Sequence, residues 1–410
     1  MKIWDIFLGI MSAIGGNVDM GQLVFTISGG ARFDMRLLWV VMVATVGIVV
    51  FAEMSGRVAV VVRRPAFELM RERLGPRMGL VVLVASTAVN ILTCTAQVGG
   101  IAAIFQFLIG GEYHAMMVLG VALLLAAVGF LKFDWLDRTF GFLGLALLVY
   151  IAVAVSLQPD WGKVARGLVP ALPGPDMPGM AMYAYYVVGL FSAILMPYEI
   201  HFYSSGAIEE KWGLQDLPSN FANSVAGFAL GGVLTVALIV SGAQAFFGKG
   251  IDPHLLGTTA IPPAMAYGVT GLLVALLGIL SAIGGAAVET ALASAYSIAQ
   301  FLRKPWGKDR KLREAPLYHA SWIVMLLAGL GIASTGVNAV DIVEYSVIFA
   351  VVVLPFTYYP ILRVADDAET MGRHVNGPAT RALGWIYLVL ITIAALAAVP
   401  LMAITHMGEG

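Results

Sequence analysis

Long apolar stretches, separated by short polar or charged segments, follow one another along the whole 410-residue chain. A helix rises about 1.5 Å per residue and the hydrocarbon core of a bilayer is about 30 Å thick, so roughly 20 apolar residues predict one transmembrane helix. The predicted fold class is therefore an all-α integral membrane protein. The pattern indicates eleven spans, numbered here in chain order: about 5–30, 36–62, 78–109, 113–132, 137–157, 179–207, 220–247, 262–302, 317–335, 340–364 and 381–404.

Basic residues are concentrated in loops that eleven alternating spans would place on one side of the membrane. The loops 63–77 and 303–316 together carry eleven of the 24 lysine and arginine residues. Because cytoplasmic loops carry an excess of lysine and arginine, the N-terminus is predicted to be cytoplasmic and the C-terminus extracytoplasmic, in the cell (inner) membrane. We interpret these loops as topology determinants, so no nucleic-acid partner is expected and the lipid bilayer is the expected surrounding.

The composition narrows the function classes further. Hydrophobic residues make up 60% of the chain and charged residues 12%, which no soluble domain of this length matches. The single cysteine, Cys94, excludes an internal disulfide and a cysteine metal cluster. The N-terminus lacks the basic segment and cleavage site of a signal peptide, so the first span is predicted to be retained. Without a phosphate loop, nucleophile triad or paired-histidine motif, neither an enzyme nor a bound cofactor is predicted.

Asp19 lies within the first apolar span, where an ionisable group costs a few kcal/mol unless it has a cation, a proton or a partner. Gly15, Gly16 and Gly21 weaken the helix around it. Irregular backbone at bilayer depth is tolerated only where it lines a cavity. A carboxylate beside unpaired carbonyl groups favours a cation site.

The sixth span contains a second interruption, because Pro197 cannot donate a backbone hydrogen bond and so leaves the carbonyl of Ala193 unpaired. Met196 offers a thioether beside this break. Sulfur is a soft ligand that suits Mn²⁺ or Fe²⁺ better than Mg²⁺ or Ca²⁺. The alternative role for Met196, one of 19 methionines in the chain, is to fill the apolar core.

The two interruptions fall at equivalent positions of two predicted repeats. Spans 1–5 (about 5–157) and 6–10 (about 179–364) would be inverted copies, followed by an extra helix at about 381–404, all within one transporter domain. Transporters with inverted repeats bind their substrate where two such broken helices meet.

These motifs resemble those of the Nramp family of divalent-metal transporters, which have the LeuT-type 5+5 architecture. The family's helix-one motif, Asp-Pro-Gly-Asn, corresponds here to Asp19-Met20-Gly21-Gln22, and its helix-six motif, Ala-x-x-Met-Pro-His, corresponds to Ala193-x-x-Met196-Pro197-Tyr198. The resemblance implies that Asp19, Gln22, Ala193 and Met196 hold the metal ion, as transported substrate and not as a cofactor.

Several family positions differ in this chain. Met20 replaces the helix-one proline, which leaves Gly21 to supply flexibility, and Tyr198 replaces the helix-six histidine. The acidic pair that the family carries on helix three corresponds to Cys94 and Gln97, which cannot carry protons near neutral pH. The resemblance therefore implies an uncoupled carrier, or one that uses other carboxylates.

Candidate residues for the pathway or for proton movement are few: Glu199, Tyr198, Gln97 and Glu53. Glu199 is the acid closest in sequence to the second break, and it either lines the pathway or pairs with a neighbouring helix. Glu53 precedes Arg57 by four residues, so an intrahelical ion pair is the favoured role. His201 is expected to make a structural hydrogen bond.

Three functions remain open. The first is a secondary transporter, a symporter if coupled, that imports Mn²⁺- or Fe²⁺-like ions by alternating access. The second is a Mg²⁺ carrier of the Nramp-related branch, against which Met196 argues. The third is an organic-solute or organic-cation carrier of the same architecture. The oligomeric state does not follow from the sequence.

Overall fold

The computed structural model describes residues 18–251, 253 and 255–408 of the chain. Within these residues the architecture is helical throughout. The helices are α1 (Met20–Phe33), α2 (Leu38–Val62), α3 (Ala66–Ile109), α4 (Tyr113–Phe130), α5 (Phe133–Gly144), α6 (Val149–Ser156), α7 (Trp161–Gly167), α8 (Met180–Ile194), α9 (Pro197–Glu209), α10 (Leu217–Phe246), α11 (Ile261–Phe301), α12 (Pro316–Ala333), α13 (Ala339–Ala365), α14 (Ala368–Met371) and α15 (Pro378–Ile404).

The helices follow the predicted spans with one correction: α3 begins at Ala66 and contains a non-helical residue at Gly75, so most of the predicted 63–77 loop is helical. In the described residues, ten helical segments are long and apolar enough to cross a bilayer. They correspond to spans 2–11, with α5 and α6 forming the fifth span and α8 and α9 the sixth. The first span is represented by α1, and its residues 5–17 lie outside the described residues. The prediction of an all-α membrane protein is confirmed.

The basic loops that the sequence places on one side of the membrane do meet at one end of the helix bundle. The guanidinium of Arg71, before the third span, donates to the carbonyl of Phe301 at the end of α11 at 2.6 Å. The Lys308 ammonium, in the loop after α11, donates to the carbonyl of Leu131 after α4 at 2.8 Å. Three predicted inner loops are thus adjacent, and their location in the cytoplasm stays a prediction.

The first span packs against the seventh through glycines. A Cβ atom added to Gly30 of α1 would lie 2.3 Å from the carbonyl oxygen of Ile239 and 2.8 Å from the backbone nitrogen of Ala243, both on α10. The reciprocal position is Gly242 of α10, where a Cβ would lie 2.6 Å from the carbonyl oxygen of Ile27. Small residues allow membrane helices to approach closely, and here the two backbones are nearly in contact.

Replacing Gly30 by alanine should therefore destabilise the protein, although alanine favours helix formation. The obstructing atoms belong to the backbone of α10, so the helices must separate, at a cost of about 1–3 kcal/mol or more. The thermal unfolding midpoint in detergent measures the loss. Gly331→Ala on α12 is the matched control, because nothing lies within 4 Å of its added Cβ. Equal midpoints for the two variants would contradict the predicted contact.

Candidate metal-binding site

Asp19 lies at the start of the described part of the first span. Its backbone is extended, with φ −107° and ψ −179°, and α1 begins at the next residue. The Asp19 carboxylate caps α1, since its Oδ1 accepts a hydrogen bond from the backbone N–H of Gln22 at 2.8 Å. The side chain is only 2% exposed. A buried carboxylate therefore sits at the positive end of a helix dipole, while residues 15–17, where the sequence also predicts broken helix, lie outside the described residues.

Gln22 presents an oxygen that has no protein partner. Its Nε2 donates to the Oγ1 of Thr235 on α10. The Thr235 hydroxyl gives its own hydrogen to the carbonyl of Gly231 at 2.8 Å, so it accepts from Gln22. Among the described residues, nothing hydrogen-bonds to the Oε1 of Gln22, and the side chain is 1% exposed. A buried acceptor without a partner is costly, which suits an atom that binds a cation.

The sixth span is interrupted as predicted. Helix α8 ends at Ile194, Met196 adopts ψ 132°, and Pro197 begins α9. In a continuous helix the carbonyl of Ala193 would accept from residue 197, but proline has no N–H to give it. Ala193 and Met196 are both buried. The break therefore offers a carbonyl oxygen and a thioether sulfur as ligands.

Two contacts show that the breaks of the first and sixth spans approach each other. The hydroxyl of Tyr198, at the start of α9, lies 3.5 Å from the Oδ2 of Asp19. Val347 of α13 touches both broken spans. Its backbone carbonyl accepts from the Ser192 hydroxyl at 2.6 Å, and its Cγ2 lies 2.6 Å from where a Gly21 Cβ would be.

This close contact gives a packing reason for Gly21. The residue lies in the first turn of α1, and the absence of a side chain makes room for Val347. Close packing therefore requires glycine here, and the flexibility that the sequence predicts for Gly21 stays a prediction.

The resulting set of groups is a carboxylate, an amide oxygen, a backbone carbonyl and a thioether. Among the described residues, no group of three or more histidine, cysteine, aspartate or glutamate side chains could hold a metal ion. The decisive comparison is with known families: a family model described as "Natural resistance-associated macrophage protein-like", or Nramp, matches residues 9–400. The chain belongs to the Nramp family.

Individual relatives agree with this assignment. One relative is the divalent metal cation transporter MntH of Levilactobacillus brevis, which is 24% identical over an alignment of 411 positions that covers 94% of this chain and 86% of the relative. The MntH of Deinococcus radiodurans is 28% identical over 392 residues, which cover 91% and 84%.

Solved structures show the same fold. A crystal structure of an Eremococcus coleocola manganese transporter mutant aligns with a TM-score of 0.78 at 19% identity, covering 95% of this chain and 84% of that chain. MhsT in complex with L-phenylalanine aligns with a TM-score of 0.62 at 14% identity, covering 97% and 98%. The predicted LeuT-type architecture is confirmed, and this Nramp protein is a membrane transporter and not an enzyme.

The two residues at the positions of the Nramp helix-three acids are both buried on α3. Cys94 packs against α12, with its Sγ 3.1 Å from where a Cβ on Gly329 would be. Gln97 is fully buried, and neither of its amide atoms has a hydrogen-bond partner among the described residues. Gln97 thus provides a polar side chain without a charge at this position. Its predicted place on the pathway stays a prediction.

Other predicted pathway residues have different surroundings. Glu53 forms the expected ion pair with Arg57, with Nε–Oε1 and Nη2–Oε2 distances of 2.8 and 3.0 Å. Glu199 is 7% exposed, and its Oε2 has no hydrogen-bond partner in the described residues. The prediction that His201 makes a structural hydrogen bond is wrong. Its ring packs edge-on against Phe67, with ring centroids 4.8 Å apart. In the described part of the chain neither ring nitrogen has a hydrogen-bond partner.

Two residues of the site escaped prediction from the sequence. Thr235 lies in an apolar stretch of the seventh span, and Val347 is one of many valines in the tenth. A lone threonine in a membrane helix commonly bonds to its own helix, as Thr235 also does. No signal in the sequence shows that Thr235 is the threonine that accepts a hydrogen bond from Gln22.

Proposed function

We propose that the chain imports divalent transition-metal ions of the Mn²⁺ or Fe²⁺ type by alternating access. The observation that carries this proposal is the partnerless Oε1 of Gln22, one helical turn from the Asp19 carboxylate and deep in the bundle. A neutral oxygen and a carboxylate, both buried, together provide a site for a cation.

The ligand chemistry supports a transition metal. Asp19, Gln22 and the carbonyl of Ala193 are hard oxygen donors that would bind many divalent ions. Met196 adds a soft donor, which favours Mn²⁺ or Fe²⁺ over Mg²⁺ and Ca²⁺. The names of the relatives, divalent metal cation transporter and manganese transporter, point in the same direction.

The packing supports a moving unit formed by spans 1, 2, 6 and 7. Helix α10 packs against both α1 and α2, and α2 also packs against α9. The ion would reach Asp19 from the outer side, lose most of its water and be held between the two breaks. Rocking of this unit against the remaining spans would then open the inner side.

A Mg²⁺ carrier is the second candidate, favoured by Cys94 and Gln97 at the positions of the family's helix-three acids. Without those acids, these positions cannot carry protons, which agrees with import of an abundant ion without proton coupling. Mg²⁺ gives up its water reluctantly and prefers six oxygen ligands, so Met196 would be a poor neighbour for it.

Uptake into proteoliposomes separates these candidates. Purified protein is reconstituted and offered Mn²⁺, Mg²⁺ or Ca²⁺, with internal pH recorded at the same time. We expect Mn²⁺ uptake well above that of protein-free liposomes and little Ca²⁺ uptake. Absence of Mn²⁺ uptake would refute the proposal, and Mg²⁺ uptake that exceeds Mn²⁺ uptake would favour the second candidate.

Gln22→Leu tests the amide oxygen directly. Losing an oxygen that binds a charged group costs about 1.5–3 kcal/mol, so Mn²⁺ binding should weaken about 10- to 100-fold. Titration calorimetry with Mn²⁺ measures the change. Thr26→Val is the control, because Thr26 is buried one turn further along α1 and, among the described residues, its hydroxyl bonds only to the carbonyls of Gln22 and Leu23. Equal affinities for Gln22→Leu and wild type would remove Gln22 from the ligand set.

A further inference from the structure

The side-chain amide of Gln22 can present either its oxygen or its nitrogen to the metal site. The two groups have nearly the same shape, so a half-turn about the last side-chain bond exchanges them, and hydrogen-bond partners decide between the two orientations. The amide oxygen attracts a cation, whereas the NH₂ group repels it. The orientation of this amide therefore decides whether Gln22 can bind a metal ion.

The Nε2 of Gln22 faces a hydroxyl on the neighbouring helix α10. It donates to the Oγ1 of Thr235, which is fully buried. Thr235 donates its only hydroxyl hydrogen to the carbonyl of Gly231 at 2.8 Å, so its oxygen acts as an acceptor. The opposite amide orientation would place two oxygens against each other or break the bond to Gly231. The hydroxyl of Thr235 thus favours the orientation in which the Oε1 of Gln22 points away from it.

The backbone groups of Gln22 do not compete for this amide. The N–H of Gln22 donates to the Asp19 carboxylate at 2.8 Å, and its carbonyl accepts from the Thr26 hydroxyl at 2.6 Å. The Oε1 is the polar atom of Gln22 to which no described residue hydrogen-bonds. The hydrogen bonds therefore leave the amide oxygen, and not the nitrogen, for a ligand.

Other buried threonines of the bundle lack this second contact. The hydroxyls of Thr26, Thr93 and Thr290 also donate to carbonyls three or four residues earlier in their own helices. Among the described residues, none of these three hydroxyls accepts a hydrogen bond from another helix. A threonine in a membrane helix is satisfied by its own helix. Helix α10 therefore does not itself require the bond between Thr235 and Gln22.

The close packing of α1 and α10 keeps the two side chains at a fixed separation. Gly30 lies about two turns after Gln22, and Gly242 lies about two turns after Thr235. At these glycines the two backbones are nearly in contact, as described above. The helix that carries the acceptor is thus held directly against the helix that carries the amide.

We propose that Thr235 is a positioning residue of the metal site, which holds the Gln22 amide so that its Oε1 faces the ion. Thr235 acts through Gln22 and is not itself a ligand. This role rests on the proposed function, because it concerns the orientation of one ligand of that site. Residues that orient metal ligands commonly contribute about 10- to 100-fold to metal affinity.

The first test compares Mn²⁺ affinities by titration calorimetry. Thr235→Val keeps the branched shape but removes the acceptor, so Mn²⁺ affinity should fall about 10-fold or more. Thr235→Ser keeps the hydroxyl and should bind Mn²⁺ nearly as the wild type does, although it lacks the methyl group that packs in the helix interface. Thr290→Val on α11 is the matched control, because its buried hydroxyl bonds to the carbonyl of Ala286 in its own helix. Its Mn²⁺ affinity should equal that of the wild type.

A double-mutant cycle shows whether Thr235 acts through Gln22. In the Gln22→Leu background there is no amide to orient, so Thr235→Val should cause no further loss of Mn²⁺ affinity. The thermal unfolding midpoint of each variant without metal reports general effects on stability. Thr235→Ala removes the hydroxyl without adding bulk and replaces Thr235→Val in both comparisons if valine prevents folding.

Three results would overturn the inference alone: unchanged Mn²⁺ affinity in the hydroxyl-free variant, failure of Thr235→Ser to restore it, or an equal further loss in the Gln22→Leu background. In each of these cases the wild type still binds Mn²⁺, so the proposed function stands. Absence of Mn²⁺ binding by the wild type would overturn both.

Discussion

Asp19→Asn should abolish Mn²⁺ uptake while leaving the protein folded. Asparagine caps helices as well as aspartate, so α1 should still begin at Met20. The substitution removes the negative charge of the Asp19 side chain. Two unit charges 4 Å apart at an effective dielectric constant of about 20 attract by about 4 kcal/mol, so Mn²⁺ binding should weaken at least about 100-fold. Calorimetry gives the affinity, and uptake into proteoliposomes gives the transport rate.

Asp160→Asn provides a control of the same chemistry. Asp160 caps α7 by accepting from the backbone of Gly162 at 2.8 Å, but it is exposed and outside the site. This variant should transport Mn²⁺ as the wild type does. If Asp19→Asn transported equally well, the charge would not be needed and the proposed metal site would be wrong.

Met196→Leu should change which ions are transported. Leucine has nearly the volume of methionine, so packing at the break should be kept, at a cost below about 1.5 kcal/mol. The sulfur is lost, and with it the preference for soft ions. We expect Mn²⁺ uptake to fall about 10-fold or more and any uptake of Mg²⁺ or Ca²⁺ to be unchanged or higher, measured as competition between the ions in proteoliposomes.

Met325→Leu, at another buried methionine on α12, controls for general effects on packing. Its ion preference should match that of the wild type. Equal losses of Mn²⁺ and Mg²⁺ transport in Met196→Leu would indicate a site made of hard ligands and would favour the Mg²⁺ carrier.

The sequence predicted the features that lie within one segment. Apolar length located the spans, and Pro197 located the break in the sixth because a proline acts on its own helix. The spacing of Glu53 and Arg57 likewise predicted their ion pair, since residues four apart share a helix face.

Contacts between helices were harder to predict. Helices in a membrane are apolar on most faces, so the pattern does not show which face meets a neighbour. Gly21 illustrates this, because its contact with Val347 depends on how α13 lies against α1.

The burial of Cys94 has a practical consequence for the predictions of topology and alternating access. It is the only cysteine of the chain, and it is fully buried between α3 and α12. A buried thiol reacts slowly, so a membrane-impermeant maleimide should leave the native protein unlabelled. A cysteine introduced at one position of α10 would then be the only thiol that the maleimide labels. The side of the membrane from which each such cysteine is labelled, with and without Mn²⁺, would show which end of the pathway is open.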